Sequence, residues 1–185
     1  MISAGDLKKG VTLKIDGNLY RVVNTTYHNP GRGAASMTAN LMDIRSGNVN
    51  KKVWTAEERL EDVFVENEDC EYLYRDGDTL HFMNVQTYDQ YEADATLFGD
   101  DIYYLKEGLQ LQLKFYENRP IDYELPTTLT FAVAEAEVAV VGNSAGNVTK
   151  RVVTDSGLSV VVPLFINVGE SIKVDTRDGS YVGRG

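Results

Sequence analysis

One arginine stands alone among small residues in Asn29-Pro30-Gly31-Arg32-Gly33-Ala34-Ala35-Ser36. A guanidinium stays charged and presents five N–H donors in a planar fork, so phosphate oxygens and nucleobase edges are its natural targets. Pro30 fixes φ, Gly31 and Gly33 permit sharp or left-handed turns, and the alanines bury little. Such a segment packs no core of its own; it projects one long cation away from the body that carries it. Taken alone, it also reads as an ordinary hairpin loop with a solvated arginine. Bond-making chemistry has little to work with elsewhere. His28 and His81 are the only histidines, too few for a histidine zinc site, and a satisfied or solvated imidazole accounts for each. His28 lies near the Arg32 segment, where it could assist a contact with RNA. Cys70 is the single cysteine and reads as a small buried hydrophobe, with no disulfide framework within one chain. Gly99-Asp100-Asp101 has the composition of a metal-binding polymerase turn, but acids at a helix start explain both aspartates. Gly31-Arg32-Gly33 partly mimics a dinucleotide loop, yet it lies between strands with no helix after it. The sequence therefore assigns no catalytic residue, no metal ligand and no cofactor.

The formal charge of −10 over 185 residues argues at first sight against a nucleic-acid partner. Its distribution reverses that. Residues 1–63 hold nine Lys/Arg against seven Asp/Glu, residues 64–128 four against fifteen, and residues 129–185 five against six. The acidity belongs to the middle third and reads as a solvated surface, whereas the Arg32 segment sits in the one net-positive third. Phosphate contact is local, so that end can meet RNA while the middle stays off it. Hydrophobic residues make up 43% of the chain, which predicts packed globular structure. The N-terminus lacks a signal-peptide pattern and no stretch approaches the ~20 apolar residues of a membrane span, so a cytoplasmic location away from membranes is expected.

The elements that must position Arg32 are strands, because the apolar period is two almost throughout. Val11, Leu13 and Ile15 alternate, Asp16-Gly17-Asn18 turns the chain, and Leu19 to Val23 returns. Met37, Ala39 and Leu41 alternate after the Arg32 loop, and Ser46-Gly47 leads to Val49–Trp54. A second set runs from Phe64 through Tyr72-Leu73-Tyr74, the Asp76-Gly77-Asp78 turn and Leu80–Met83. It continues in Leu109, Leu111, Leu113 and Phe115, then turns at Asn118-Arg119-Pro120 into Ile121–Leu125. One helix is predicted over Asp100–Lys106, with Gly108 beyond its end. A third set includes Leu129, Phe131, Val133, Val138–Val141, Val152-Val153, Leu158–Val162 and Ile172–Val174. The abundant tyrosines, among them Tyr72, Tyr74, Tyr88, Tyr91, Tyr103 and Tyr104, read as core and interface packing with a polar tip. Boundaries near Val63 and Pro126 divide the chain into 1–63, 64–128 and 129–185. Pieces of about 60 residues are marginal alone, so they are expected to lean on one another in a stiff, elongated array.

These pieces coincide with a known pattern. The chain resembles the bacterial elongation factor P family over its whole length. The resemblance rests on Met1-Ile2-Ser3-Ala4-Gly5-Asp6-Leu7 with Lys9-Gly10, on Pro30-Gly31-Arg32-Gly33-Ala34-Ala35, and on Tyr72-Leu73-Tyr74 with Asp76-Gly77. It extends through His81-Phe82-Met83-Asn84 and Thr87-Tyr88. The most specific run is Val162-Pro163-Leu164-Phe165, Gly169-Glu170, Ile172-Lys173-Val174-Asp175-Thr176-Arg177, Gly179 and Tyr181-Val182-Gly183-Arg184. The resemblance implies an all-β chain of three small β-barrels, an SH3-like (KOW-type) first domain and two OB-fold domains, in an L shape that mimics tRNA. It implies a monomeric elongation factor that binds the 70S ribosome, through rRNA and ribosomal proteins, between the peptidyl-tRNA and exit sites. There the factor relieves stalling at consecutive prolines. Arg32 matches the tip residue beside the CCA end of the peptidyl-tRNA, a position modified by a dedicated enzyme in several lineages, and Pro30, Gly31 and Gly33 match the residues that shape the tip. Gly142, Asn143 and Ser144 match the loop facing the exit-site mRNA and tRNA, and Tyr181 and Arg184 match C-terminal positions that face RNA. The chain departs from the pattern in two places. The loop after Gly142 lacks the usual carboxylate and proline, and Arg32 sits between flanks common around lysine, which leaves it open to rhamnosylation, another modification or none. Two other readings stand beside this one: a divergent paralogue relieving a different set of arrest motifs, and a general OB-fold RNA-binding protein.

Overall fold

The computed structural model describes residues 1–138 and 148–185. It is all-β, in three antiparallel sheets. The first contains β1 (Ile2–Ser3), β2 (Thr12–Ile15), β3 (Asn18–His28), β4 (Ser36–Asp43), β5 (Val49–Thr55) and β6 (Arg59–Val63), in the order β1-β6-β2-β3-β4-β5. The second contains β7 (Glu66–Asp76), β8 (Thr79–Asn84), β9 (Gln90–Asp94), β10 (Gln110–Tyr116) and β11 (Arg119–Glu124), ordered β11-β10-β7-β8-β9. The third contains β12 (Thr128–Ala136), β13 (Thr149–Thr154), β14 (Ser159–Pro163), β15 (Ser171–Asp175) and β16 (Tyr181–Arg184), ordered β14-β13-β12-β15-β16. The chain divides into two compact units, residues 1–68 with 113–122 and residues 69–112 with 123–185. Among the described residues, no helix is long and apolar enough to cross a membrane.

The alternating runs read from the sequence become the inward faces. Leu13, Val22, Met37, Ala39 and Leu41 are buried in the first sheet and pack with Ala4, Leu7 and Leu60. Leu109, Leu111, Leu113 and Phe115 are buried in the second, and Phe131, Val133, Val152, Val160, Val162, Ile172 and Val174 in the third. Asp16 and Gly17 both have positive φ, 52° and 81°, and Ile15 pairs with Asn18. This is the two-residue primed turn that matches strand twist. The turn expected at Asn118-Arg119-Pro120 lies one residue earlier. Glu117 and Asn118 take φ of 49° and 60°, and Pro120 is the second residue of β11, an edge strand, the kind in which proline is tolerated.

In the first unit, the far end of the β10–β11 hairpin meets β2 and β3. Arg21 forms an ion pair with Asp122, and Lys14 Nζ donates to the Tyr116 hydroxyl at 3.4 Å. In the second unit, the segment expected to be a helix over Asp100–Lys106 is a 3₁₀ turn, Gly99–Tyr104. Six residues close too few i→i−4 bonds to hold an α-helix, and tertiary packing takes over. Tyr104 is buried and its ring meets that of Phe131, centroids 6.3 Å apart. Lys106 donates to the Thr130 carbonyl and lies 5.0 Å from the centre of the Phe131 ring. Asp101 accepts from the Tyr123 hydroxyl at 2.6 Å, which gives one aspartate of the Gly99-Asp100-Asp101 run a structural partner. Cys70 is buried, as expected. The tyrosine reading holds for Tyr72 and Tyr104, both buried, but Tyr74 and Tyr88 stand exposed. Val138 is also exposed and outside any strand, and the rest of the run expected over Val138–Val141 lies outside the described residues.

Candidate functional site

The loop carrying Arg32 is held at the end of a long ribbon. β3 runs for 11 residues. A bulge between Val22 and Asn24 interrupts its register with β4. Beyond the bulge, β3 and β4 stay paired to the last rung, His28 opposite Ser36, and β4 pairs β5 as far as Ser36 opposite Thr55. Asn24, Thr26, Tyr27 and His28 are exposed on β3, while Met37 and Ala39 opposite them on β4 are buried in the core with Trp54 packed against it, so three-strand pairing and burial together hold this end of the sheet. The loop base is tied down as well. The Ala56 N–H donates to the Ala35 carbonyl at 2.8 Å, and the Gly5 N–H donates to the Ala56 carbonyl at 2.9 Å. A Cβ on Gly5 would come within 3.1 Å of that carbonyl oxygen, so glycine allows the close approach. A groove of about 620 Å³ runs beside the base, lined by Tyr27, Ala34, Ala35, Asp6 and Glu57 among others.

Arg32 is exposed on this loop and takes part in no hydrogen bond or ion pair among the described residues. The two glycines beside it differ. Gly33 has φ +108°, a backbone that L side chains rarely adopt, whereas Gly31 has no such φ and open space around it. Pro30 lies next to the turn, its Cγ 3.9 Å from the position of a Cβ on Gly33. Gly33→Ala is therefore expected to strain the loop by ~1–2 kcal/mol and Gly31→Ala by less than ~0.5 kcal/mol. Thermal denaturation of the two variants side by side checks this, and equal melting points refute the assignment of the turn to Gly33.

The C-terminal candidates stand on β16. Tyr181 pairs with Val174 and Arg184 with Ile172. Val174 and Ile172 are buried, whereas Arg184 itself is exposed and Tyr181 half-buried. Arg184 also has partners in the chain: its guanidinium lies 4.9 Å from the Phe165 ring centre and 3.5 Å from Glu170 Oε1. The structure thus brings Arg184 together with Glu170 and Phe165, a grouping the sequence motif contains but does not reveal. Gly142, Asn143 and Ser144 lie outside the described residues.

The turn before β16 is fixed by charge. Arg177 Nη2 and Nε donate to the Asp175 carboxylate at 2.6 and 3.0 Å, and the Arg177 N–H adds a third bond at 2.9 Å. The Arg177 side chain, then its N–H, lower the Asp175 pKa from 3.8 to about 2. A folded pKa below the unfolded one stabilises the fold above the unfolded value, and that stabilisation is lost as pH falls through the folded one. The Asp175 share is thus complete above pH ~4 and gone below about 2. A carboxyl NMR titration reads the value directly, and a midpoint near 3.8 contradicts it.

Comparison with known proteins places this geometry. Residues 3–60 match the elongation factor P KOW-like domain, residues 65–123 its OB domain and residues 129–184 its C-terminal domain. The chain belongs to the elongation factor P family. Elongation factor P of Thermotoga maritima is 40% identical and that of Microcystis aeruginosa 38% identical, each over 184 residues that span the full length of both chains. A solved structure titled eukaryotic translation initiation factor 5A from Methanococcus jannaschii shares the fold. Its TM-score is 0.53 at 21% identity, over 68% of this chain and 90% of that one. As a member of the elongation factor P family the protein is a translation elongation factor and not an enzyme.

Proposed function

We propose that this factor binds the 70S ribosome between the peptidyl-tRNA and exit sites and promotes peptide-bond formation at consecutive prolines by steadying the CCA end of the peptidyl-tRNA with Arg32. The observation that carries this reading is the placement of one exposed guanidinium at the end of a three-strand ribbon whose loop base is hydrogen-bonded to its neighbours. Proline is a poor nucleophile, and its peptidyl ester is badly oriented. A rigidly presented donor fork supplies orientation, which is worth several kcal/mol when it holds reacting atoms in line. Arginine does not titrate near neutral pH, so it positions without exchanging protons.

Gly33 and Pro30 set the turn that aims Arg32, and Gly31 leaves room around it. The groove beside the loop base offers a landmark to an enzyme that modifies Arg32, while the bare side chain already supplies charge and donors. Residues 1–63 form the tip-bearing domain, 64–128 the central one and 129–185 the C-terminal one. Gly142, Asn143 and Ser144 face the exit-site mRNA and tRNA, and Tyr181 and Arg184 support RNA contact by the C-terminal domain. The protein acts as a cytoplasmic monomer. The test is a factor-depleted translation extract programmed with a reporter containing a run of prolines. Added protein restores full-length product; no restoration, with ribosome binding intact, ends the reading.

A further inference from the structure

Two cations on the first sheet find partners far along the chain. Strand alternation puts Lys14 and Arg21 on the side opposite the buried Leu13 and Val22, a side that would ordinarily face water. The far end of the β10–β11 hairpin meets it. Arg21 Nη1 donates to Asp122 Oδ2 within their ion pair, and Arg21 Nη2 lies 4.0 Å from Met42 Sδ. Lys14 Nζ, besides donating to the Tyr116 hydroxyl, lies 5.7 Å from the centre of that ring. The Asp122 side chain is only 15% exposed.

These contacts are not backed by close apolar packing. A cavity of about 300 Å³ opens beside them, with Val11, Phe64 and Ile121 on its lining as well as Arg21, Asp62 and Asp122. Phe64 is 81% exposed. A contact that is not close-packed can pivot, so directional groups set its angle. A guanidinium fork facing a shielded carboxylate is such a group. Removing one partner leaves the other charge unpaired and poorly hydrated. β3 both holds Arg21 and leads into the Arg32 loop, and it stays paired with β4 from Asn24 to His28. A shift at Arg21 is therefore carried along a paired ribbon to the tip.

We propose that Asp122 is a positioning residue: through Arg21, and beside the Lys14–Tyr116 contact, it fixes the sheet that carries Arg32 on the β10–β11 hairpin and so aims the tip. This rests on the reading of Arg32 as the group that steadies the peptidyl-tRNA. The test attaches spin labels to the full chain at Thr26→Cys, exposed on β3, and Arg119→Cys, exposed at the start of β11; Cys70 is buried. Pulsed electron resonance should give one narrow distance distribution. Asp122→Ala should broaden it, and the unlabelled variant should lose ~3–10-fold in polyproline reporter yield. Asp122→Asn keeps the side-chain volume, guards against a folding defect, and should broaden the distribution too. The exchanged pair, Arg21→Asp with Asp122→Arg, should recover both readouts; an exchanged pair no better than Asp122→Ala refutes the ion pair as the agent. A distribution that stays narrow in both single variants overturns the lock. In an Arg32→Ala background, Asp122→Ala should cost nothing further, and an undiminished additional loss shows a merely structural role and overturns the proposal. Broadening with full reporter yield overturns the aiming of Arg32. Arg32→Ala assayed alongside separates the two readings, because full yield from that variant ends the tip reading itself.

Discussion

Arg32→Ala is expected to lower the yield of a polyproline reporter at least ~10-fold in a factor-depleted extract, equivalent to ~1.4 kcal/mol or more of lost transition-state stabilisation. The melting point should stay unchanged. The two readouts separate because the side chain is exposed and joins no hydrogen bond or ion pair among the described residues, so nothing in the fold depends on it. Arg32→Lys keeps the charge but replaces the planar fork with a point charge, and an intermediate yield is expected. A drop confined to proline-containing reporters identifies orientation of a poor acceptor as the step affected. An Arg32→Ala variant that supports wild-type yield removes the tip from the mechanism, whatever the rest of the chain does.

Phe131→Ala carries the largest expected effect on stability, ~3–5 kcal/mol. Phe131 is 1% exposed. It lies on β12, where it pairs with the buried Ile172, and it is also the platform for the Gly99–Tyr104 turn through Tyr104 and Lys106. Truncation removes core volume and the surface that turn rests on. The turn before β16 also passes close to Tyr104: a Cβ on Gly179, which has φ +73°, would come within 3.2 Å of the Tyr104 hydroxyl. Urea denaturation should show a lower midpoint for Phe131→Ala. Phe131→Leu, which refills most of the volume, should recover part of the loss. A loss below ~1 kcal/mol contradicts the place given to Phe131 in this packing.

The sequence was most informative where chemistry forces a local pattern. Met37, Ala39 and Leu41 alternate because one face of β4 must be buried, and Leu109 to Phe115 alternate for the same reason. Arg32 stood out because a long cation among proline, glycine and alanine has no core to join. Strands β1, β6, β9 and β16 were not legible. β1 is two residues long, and the others bury one side chain at most, so their pairing comes from neighbours distant in sequence. The helix expected over Asp100–Lys106 forms as a shorter 3₁₀ helix, Gly99–Tyr104, for a related reason: charge placement signals a helix start, but Tyr104 packs on Phe131 rather than continuing the turn.

The same division runs through the candidate sites. Residue types alone determined that this chain is all-β, that it has few groups for bond-making, and that one guanidinium is set apart on a flexible-composition loop, because period, charge and side-chain chemistry are local properties. Only the tertiary structure decided that three paired strands carry that loop at their end, that Arg184 meets Phe165 and Glu170, and that Tyr88 is exposed with a positive φ. Those outcomes depend on register and burial, which are set by residues far apart in the chain.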